Sequence, residues 1–333
     1  MSALQKSVDL AAIGECLIDF TPAGQNELGM QLFSRNPGGA PANVLAMYAK
    51  LGGKTAFCGK VGTDAFGDFL LASLQKGGVD TSALMRDENV PTTLAFVQLD
   101  ETGNRSFTFY RKPGADIMLR KDEVPARITQ SCGVFHFGSV SLTDEPCRTA
   151  TLCAAADARQ AGALVSYDPN YRPFLWPNAE DAKKELWNAA ALADIMKVSD
   201  EELALLTGTG ELEEGGRALM RQGPVAVMVT LGPKGACCVT PAGVVFEPTF
   251  DVPVVDTTGA GDAFWGAMLW KLHAEYACCN RQDLLALTPE QWKAAVQFAN
   301  AAGSLTTTKK GAIPAMPAKD AIEQCVRSGR LLK

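Results

Sequence analysis

The sequence predicts a doubly wound α/β fold, a mostly parallel sheet flanked by helices with a small β-sheet lid, and three observations carry that reading. Short runs of β-branched and apolar residues recur at 8–13, 134–137, 164–167, 195–198 and 225–230. Ala-rich stretches of crossover length, 150–161 and 180–193, lie among them. A strand buried on both faces needs a continuous apolar run, and a parallel neighbour needs a long return connection, usually a helix. Two regions break the alternation: residues 16–20 with 30–34, and 93–99 with 106–110, read as antiparallel pairs, the second joined by a turn at 100–105. They form the expected lid, from about 15–36 and 92–114. The whole of 1–333 is then one domain, closed by a helix after Pro317.

Composition narrows the function. Apolar residues make up 47% of the chain and charged residues 20%, enough apolar surface to offset chain entropy. A net charge of −6, with no Lys/Arg run interleaved with aromatics, argues against a nucleic-acid partner. The opening MSALQKSVDLAAIG holds one Lys and an apolar stretch broken by Asp9, which leads us to expect a cytoplasmic protein with no membrane partner. Ten cysteines are scattered through apolar runs with no C-x-x-C pair, and read as reduced thiols. The only two histidines, His136 and His273, give a zinc site or a Ser-His-Asp triad little material, and His136 in VFHFG reads as a core residue.

The most informative stretch is DTTGAGDAFWGA at 256–267, set between a strand-like run at 252–255 and an apolar helix through Trp270. Gly259, Ala260 and Gly261 would present unobstructed backbone N–H groups at a helix N-terminus, where the macrodipole favours an anion. Asp262 in the same turn would repel a phosphate that was merely held there, but suits a general base for a hydroxyl attacking a phosphoryl group. The residues alone also allow a tight turn with Asp262 as a helix-terminal carboxylate. A dinucleotide fingerprint fails because position 264 is Phe, and a Walker A loop fails because its earlier glycine falls on Tyr48.

DTTGAGDAF resembles the C-terminal signature of the pfkB, or ribokinase-like, carbohydrate kinases. The segment 38–44 (GGAPANV), followed by LGG at 51–53 and GKVGTD at 59–64, resembles the N-terminal signature of the same family. GECLIDF, RSFTFYRKPGAD, DPNYRPFLW and KVSDEE are similar to segments of fructokinases within it. The resemblance implies a ribokinase-like fold and an ATP-dependent kinase acting on the primary hydroxyl of a sugar, fructose above all. Another kinase of the family (for 2-keto-3-deoxygluconate, ribose or aminoimidazole riboside) is the alternative, and a non-catalytic sugar-binding regulator the reading outside the class.

Carried over residue by residue, the resemblance implies a sugar site of Asp19, Gly38, Gly39, Asn43, Phe109, Asn170 and Arg172, with the 38–39 backbone against the ring. Short polar groups and close backbone approach suit a polyol. It implies ATP contacts at Lys197, Ser199, Glu202, Thr230, Gly232, Gly235 and Asn300; Ser199 departs from the Asn of ribokinases, which leaves its role open. Mg²⁺ would arrive on the ATP oxygens, and a monovalent cation, K⁺, would be held partly by backbone oxygens around Asp256, Thr258, Thr306, Lys309 and Gly311. Asp64 reads equally as the cap of the helix after it. The matched pocket segments contain three cations, Arg111, Lys112 and Arg172, few for a dianionic sugar phosphate. Pairing of two copies through the lid edges is the expected assembly.

Overall fold

The structure is a computed structural model that describes residues 6–99 and 105–332. Its first half is strand-rich. β1 (Val8–Ile13), β2 (Leu17–Gln25) and β3 (Gln31–Gly38) lead into α1 (Ala40–Lys50), and β4 (Thr55–Gly62), α2 (Ala65–Lys76) and β5 (Val79–Asp87) follow. β6 (Leu94–Leu99) and β7 (Arg105–Tyr110) form a hairpin, after which come α3 (Ala126–Gln130), β8 (Cys132–Gly138) and α4 (Cys147–Gln160). The second half alternates more regularly, through β9 (Leu164–Asp168), α5 (Ala179–Ala190), β10 (Ile195–Ser199), α6 (Asp200–Thr207), α7 (Leu212–Gln222) and β11 (Ala226–Thr230). A hairpin of β12 (Ala236–Thr240) and β13 (Gly243–Glu247) precedes α8 (Ala260–Trp270), α9 (Arg281–Ala286), α10 (Pro289–Thr306) and α11 (Lys319–Ser328).

Nine strands form one sheet in the order β13-β12-β11-β10-β9-β8-β1-β4-β5, parallel except for the β11-β12-β13 edge. Helices cover both faces, and each face has its own apolar core. The other four strands make a separate sheet, β3-β2-β6-β7, in which two antiparallel hairpins join through the parallel pair β2 and β6, with Ile18 opposite Leu94. The five apolar runs expected as strands all fall in the large sheet, and the two expected hairpins form the small one. The turn expected at 100–105 lies outside the described residues, apart from Arg105, which opens β7.

One expected strand is absent. Residues 252–255 run as irregular backbone, with Val254 and Val255 exposed. Pro253 has no N–H to give a ladder, and the N–H groups of Val255 and Asp256 go instead to Thr307 O at the end of α10. Four strands went unread, β4, β5, β12 and β13. In β4 the pattern is broken by Gly59, Lys60 and Gly62, yet all eight residues are buried, because the Lys60 ammonium reaches Glu123 Oε1 at 2.7 Å and Met118 O at 3.0 Å.

All ten cysteines are free thiols, seven of them buried. His136 is buried with Nδ1 3.0 Å from Ser166 Oγ, and burial drops its pKa to about 4, as befits a neutral core residue. Among the described residues, no helix is long and apolar enough to cross a membrane.

Candidate active site

The carboxyl ends of parallel strands are where open α/β sheets place their ligands. At that edge, between the large sheet and the small one, lies a cavity of about 520 Å³. β1 ends beside Glu15, β9 ends at Asp168 and leads into Asn170 and Arg172, and β10 delivers Lys197 and Ser199. β2 adds Asp19 and β7 adds Phe109 from the small sheet, which roofs the cavity.

The floor is the start of α8. Gly259 caps that helix at φ 75°, a left-handed conformation that a side chain resists, and a Cβ there would come 2.5 Å from Ala312 Cβ. The next turn carries Gly261 and Asp262 into the cavity, while Ala260 belongs to the helix and packs near Gly303. α8 is buried almost throughout, and Trp265 Nε1 donates to Ser166 Oγ at 2.9 Å, so the turn rests on a rigid element.

Facing it, α1 begins with Gly39 at φ 113°, where a Cβ would lie 2.3 Å from Glu15 O. Gly38 is excluded from larger residues by Asp19, whose Oδ2 would sit 2.1 Å from an added Cβ, so it lies behind Asp19 instead of lining the cavity. Asn43, one turn into α1, donates its amide Nδ2–H to Asp262 Oδ2 at 2.8 Å, so the two matched signatures meet in a side-chain hydrogen bond.

Charge here is concentrated and poorly solvated. Burial raises the Asp262 carboxyl above its ordinary range, and Asp168 adds to this, while the Asn43 amide, Lys197 and Arg172 pull it back. Burial also lifts Asp19 to about 7, against the nearby Arg172 and with the help of Asp262. Lys197 is buried, which opposes its charge, but Asp168 and Glu202 outweigh that and raise it; Lys197 Nζ donates to Asp168 Oδ2 at 2.6 Å. A Cβ on Gly261 would lie 3.5 Å from Lys197 Nζ, so a cation stands directly beside the glycine turn.

Among the expected sugar residues, Asp19, Gly39, Asn43, Phe109, Asn170 and Arg172 line the cavity with Gly259, Gly261 and Asp262. The expected nucleotide residues are spread along the same sheet edge, and of them Lys197 lines the cavity. Thr230 closes β11 in register with Ser199 of β10. Ser199 and Glu202 form a capping box on α6, Glu202 accepting from Ser199 N at 2.8 Å and from Tyr171 N at 2.7 Å. Gly232 stands open, whereas Gly235 and Asn300 meet around residues 247–248: a Cβ on Gly235 would lie 2.1 Å from Glu247 O, and Asn300 Nδ2 donates to that same oxygen at 2.9 Å.

The two segments expected to hold a monovalent cation are tied together by Asp256. Its Oδ1 accepts from Thr258 N and Oγ1 at 3.0 and 2.7 Å, and its Oδ2 from Gly311 N at 2.9 Å. Thr306 ends α10 fully buried, and Lys309 is exposed in the turn beyond it. Asp64 caps α2, accepting from the backbone of Phe66, Gly67 and Thr92.

Two acidic residues of this site escaped the sequence reading. Asp168 ends the apolar run LVSYD, the same signal that marked Asp19. Glu15 lines the cavity almost wholly buried, and burial lifts it to about 7. The cation count also changes. Arg111 is buried away from the cavity on Asp116 Oδ2 at 2.7 Å, Thr143 Oγ1 at 2.8 Å and Val140 O at 2.9 Å, while Lys197 and Lys310 join Arg172 at the wall.

A sheet edge that gathers a glycine turn, a buried cation and a buried carboxylate around one polar cavity is the arrangement of a phosphoryl-transferring enzyme. The chain belongs to the pfkB family of carbohydrate kinases, whose profile matches residues 8–319. It is 44% identical over 314 residues to the probable fructokinase-2 of Arabidopsis thaliana, covering 92% of both chains. Among solved structures it resembles the fructokinase of Xylella fastidiosa with bound ATP, at TM-score 0.89 and 36% identity over 98% of this chain and 99% of that one. It also resembles a double mutant of the Vibrio cholerae fructokinase bound to fructose, ADP and potassium ion, at TM-score 0.85 and 36% identity, covering 97% of this chain and 100% of the other. The fold is therefore ribokinase-like, with the four-stranded sheet as a lid beside the cavity.

Proposed function

We propose that this kinase transfers the γ-phosphoryl group of ATP to the 6-hydroxyl of fructose. The observation that carries the reading is the Asn43 to Asp262 hydrogen bond at the cavity, because it sets a buried carboxylate beside the glycine turn that opens α8. Asp262 acts as general base, accepting the hydroxyl proton as the oxygen attacks phosphorus. Gly259, Ala260 and Gly261 hold the transferring oxygens at the helix N-terminus, with Lys197 as the adjacent cation.

Asp19, Gly39, Asn43, Phe109, Asn170 and Arg172 bind and orient the sugar, and Gly38, behind Asp19, leaves that carboxylate the room it occupies. Thr230, Gly232, Gly235 and Asn300 receive the nucleotide along the sheet edge, and Ser199 and Glu202 hold the loop beside it. The likeness to fructokinases that were solved with ATP, and with fructose and ADP, supports both halves of this reading.

Magnesium would come with the nucleotide, since it keeps most of its shell of water and phosphate oxygens, and it would neutralise charge developing on the phosphates. A monovalent cation would be held by oxygens of Asp256, Thr258 and the segment carrying Thr306, Lys309 and Gly311. The donor set fits, because Asp256 already draws the two segments together. Held there, the ion would stiffen the floor of the anion turn.

One assay tests substrate and ion together. ADP release measured across fructose, ribose, glucose, fructose 6-phosphate, 2-keto-3-deoxygluconate and aminoimidazole riboside should give the highest kcat/KM for fructose, and adding potassium to a potassium-free buffer should raise the rate. A higher kcat/KM for any other sugar overturns the substrate, and a flat response to potassium overturns the ion.

The assembly we favour is a pair of chains joined through their lids. Phe33 and Tyr110 leave large apolar side chains exposed on the face of the small sheet turned away from the cavity, and a second lid would cover them. Sedimentation should therefore return the mass of two chains, and charged residues at Phe33 and Tyr110 should return that of one. A wild-type protein that sediments as a single chain removes the proposal.

A further inference from the structure

Asn43 and Asp262 are 219 positions apart in the chain, yet their side chains are bonded at 2.8 Å and both are buried. A carboxylate without its proton offers only acceptors, so the amide must turn its N–H side to Asp262. The other end of the amide, Oδ1, is buried with no hydrogen-bond partner. The bond to Asp262 is therefore what fixes the amide, and by the same contact the amide fixes Asp262. Of the two carboxylate oxygens, Oδ2 is engaged by Asn43, and Oδ1 has no hydrogen-bond partner among the described residues.

We propose that Asn43 is a positioning residue for proton transfer, pinning Oδ2 of Asp262 and leaving Oδ1 as the oxygen that takes the proton from the sugar hydroxyl. This rests on Asp262 being the base. In the step assigned to it, the hydroxyl O–H bond breaks and its proton passes to Oδ1. The sugar oxygen bonds to the γ-phosphorus as the bond from phosphorus to the bridging oxygen breaks, and ADP leaves.

The same contact acts on charge. Asp262 faces Asp168 and Lys197 at the ends of β9 and β10, Arg172 beyond β9, and Asp19 from the lid. Burial and Asp168 disfavour its ionised form. Of the groups that favour it, the Asn43 amide acts most strongly, ahead of Lys197 and Arg172. A base must be ionised, so activity falls as pH drops through its pKa. Removing the donor raises that pKa, and the acidic limb of the rate profile moves to higher pH.

The test is kcat against pH, from about 5 to 9, at saturating sugar and ATP for the wild type, Asn43→Ala and Asn43→Ser. Both replacements are small, the serine keeps a polar group at the site, and melting curves come first. The expected result is an acidic limb displaced upward by about one unit, with kcat near neutral pH reduced about tenfold and partly recovered at high pH. A residue that only binds sugar would raise KM and leave the limb in place. An unmoved limb with kcat retained in whichever variant folds overturns the proposal. Failure of the wild type on fructose would be a failure of the substrate reading instead, because the profile can be recorded with any sugar of the panel that turns over. Full activity in Asp262→Asn would remove the base, and this inference with it.

Discussion

Asp262→Asn should lower kcat by about 10²–10⁴-fold, roughly 3–5 kcal/mol of barrier, with KM for the sugar changed little. The replacement keeps the shape and the Asn43 contact, since an amide oxygen can accept from Nδ2 at the position of Oδ2. What it removes is the one group in the turn able to take a proton. Steady-state ADP release from a purified variant with unchanged melting settles the matter, and near-normal turnover would end the assignment of Asp262 as base. The loss should be similar for every sugar accepted, because the residue acts on the hydroxyl proton and not on the identity of the ring.

Gly261→Val should abolish most activity, about 10²-fold or more, without unfolding the protein. The added Cβ meets only the flexible end of Lys197, at 3.5 Å from Nζ and 3.7 Å from Cε, so the helix start accommodates it. Its methyl groups then occupy the space between Lys197 and the backbone where the phosphoryl oxygens would lie. Retained kcat and unchanged KM for ATP would count against an anion site in this turn. Gly259 is the contrasting position. Its φ of 75° and the Ala312 side chain 2.5 Å from an added Cβ make substitution there a fold defect, uninformative about chemistry.

Much of the architecture was legible because parallel strands buried on both faces leave unbroken apolar runs. Val8–Ile13 is a strand over its whole expected length, the runs at 164–167 and 195–198 each extend by one residue, and that at 134–137 extends by three. The pattern failed where burial did not follow polarity. Lys60 hides inside β4 on a carboxylate and a carbonyl contributed more than fifty residues later, a partnership that no local window contains. It failed in the opposite sense at 252–255, where Val, Pro, Val, Val looks like a strand but has no neighbour to pair with.

The site was legible to the extent that it is written in contiguous turns. DTTGAGD and GGAPAN announced themselves, and the cavity brings them face to face. Lys197 is in part an exception, because its place against the turn depends on Asp168 of the neighbouring strand holding the ammonium at 2.6 Å. Glu15 was legible only as part of the segment GECLIDF, since a glutamate just past a strand is ordinarily solvated, whereas here it is buried with Oε1 accepting from Ala40 N at the start of α1.

The lid has a history that its finished form conceals. Its two hairpins leave the chain on either side of α1, β4, α2 and β5, and they meet through the parallel pairing of residues 18–20 with 94–96 and the packing of Phe33 on Phe96. Such a contact reimburses its loop-closure entropy only once the intervening segment has condensed, so the lid is a late acquisition on the folding route. A chain emerging from the ribosome has already exposed β2 and β3 when β6 is still unmade. The exposed edge of β2 is thus a transient hazard for mispairing, relieved when the second hairpin arrives and the mouth of the cavity takes shape.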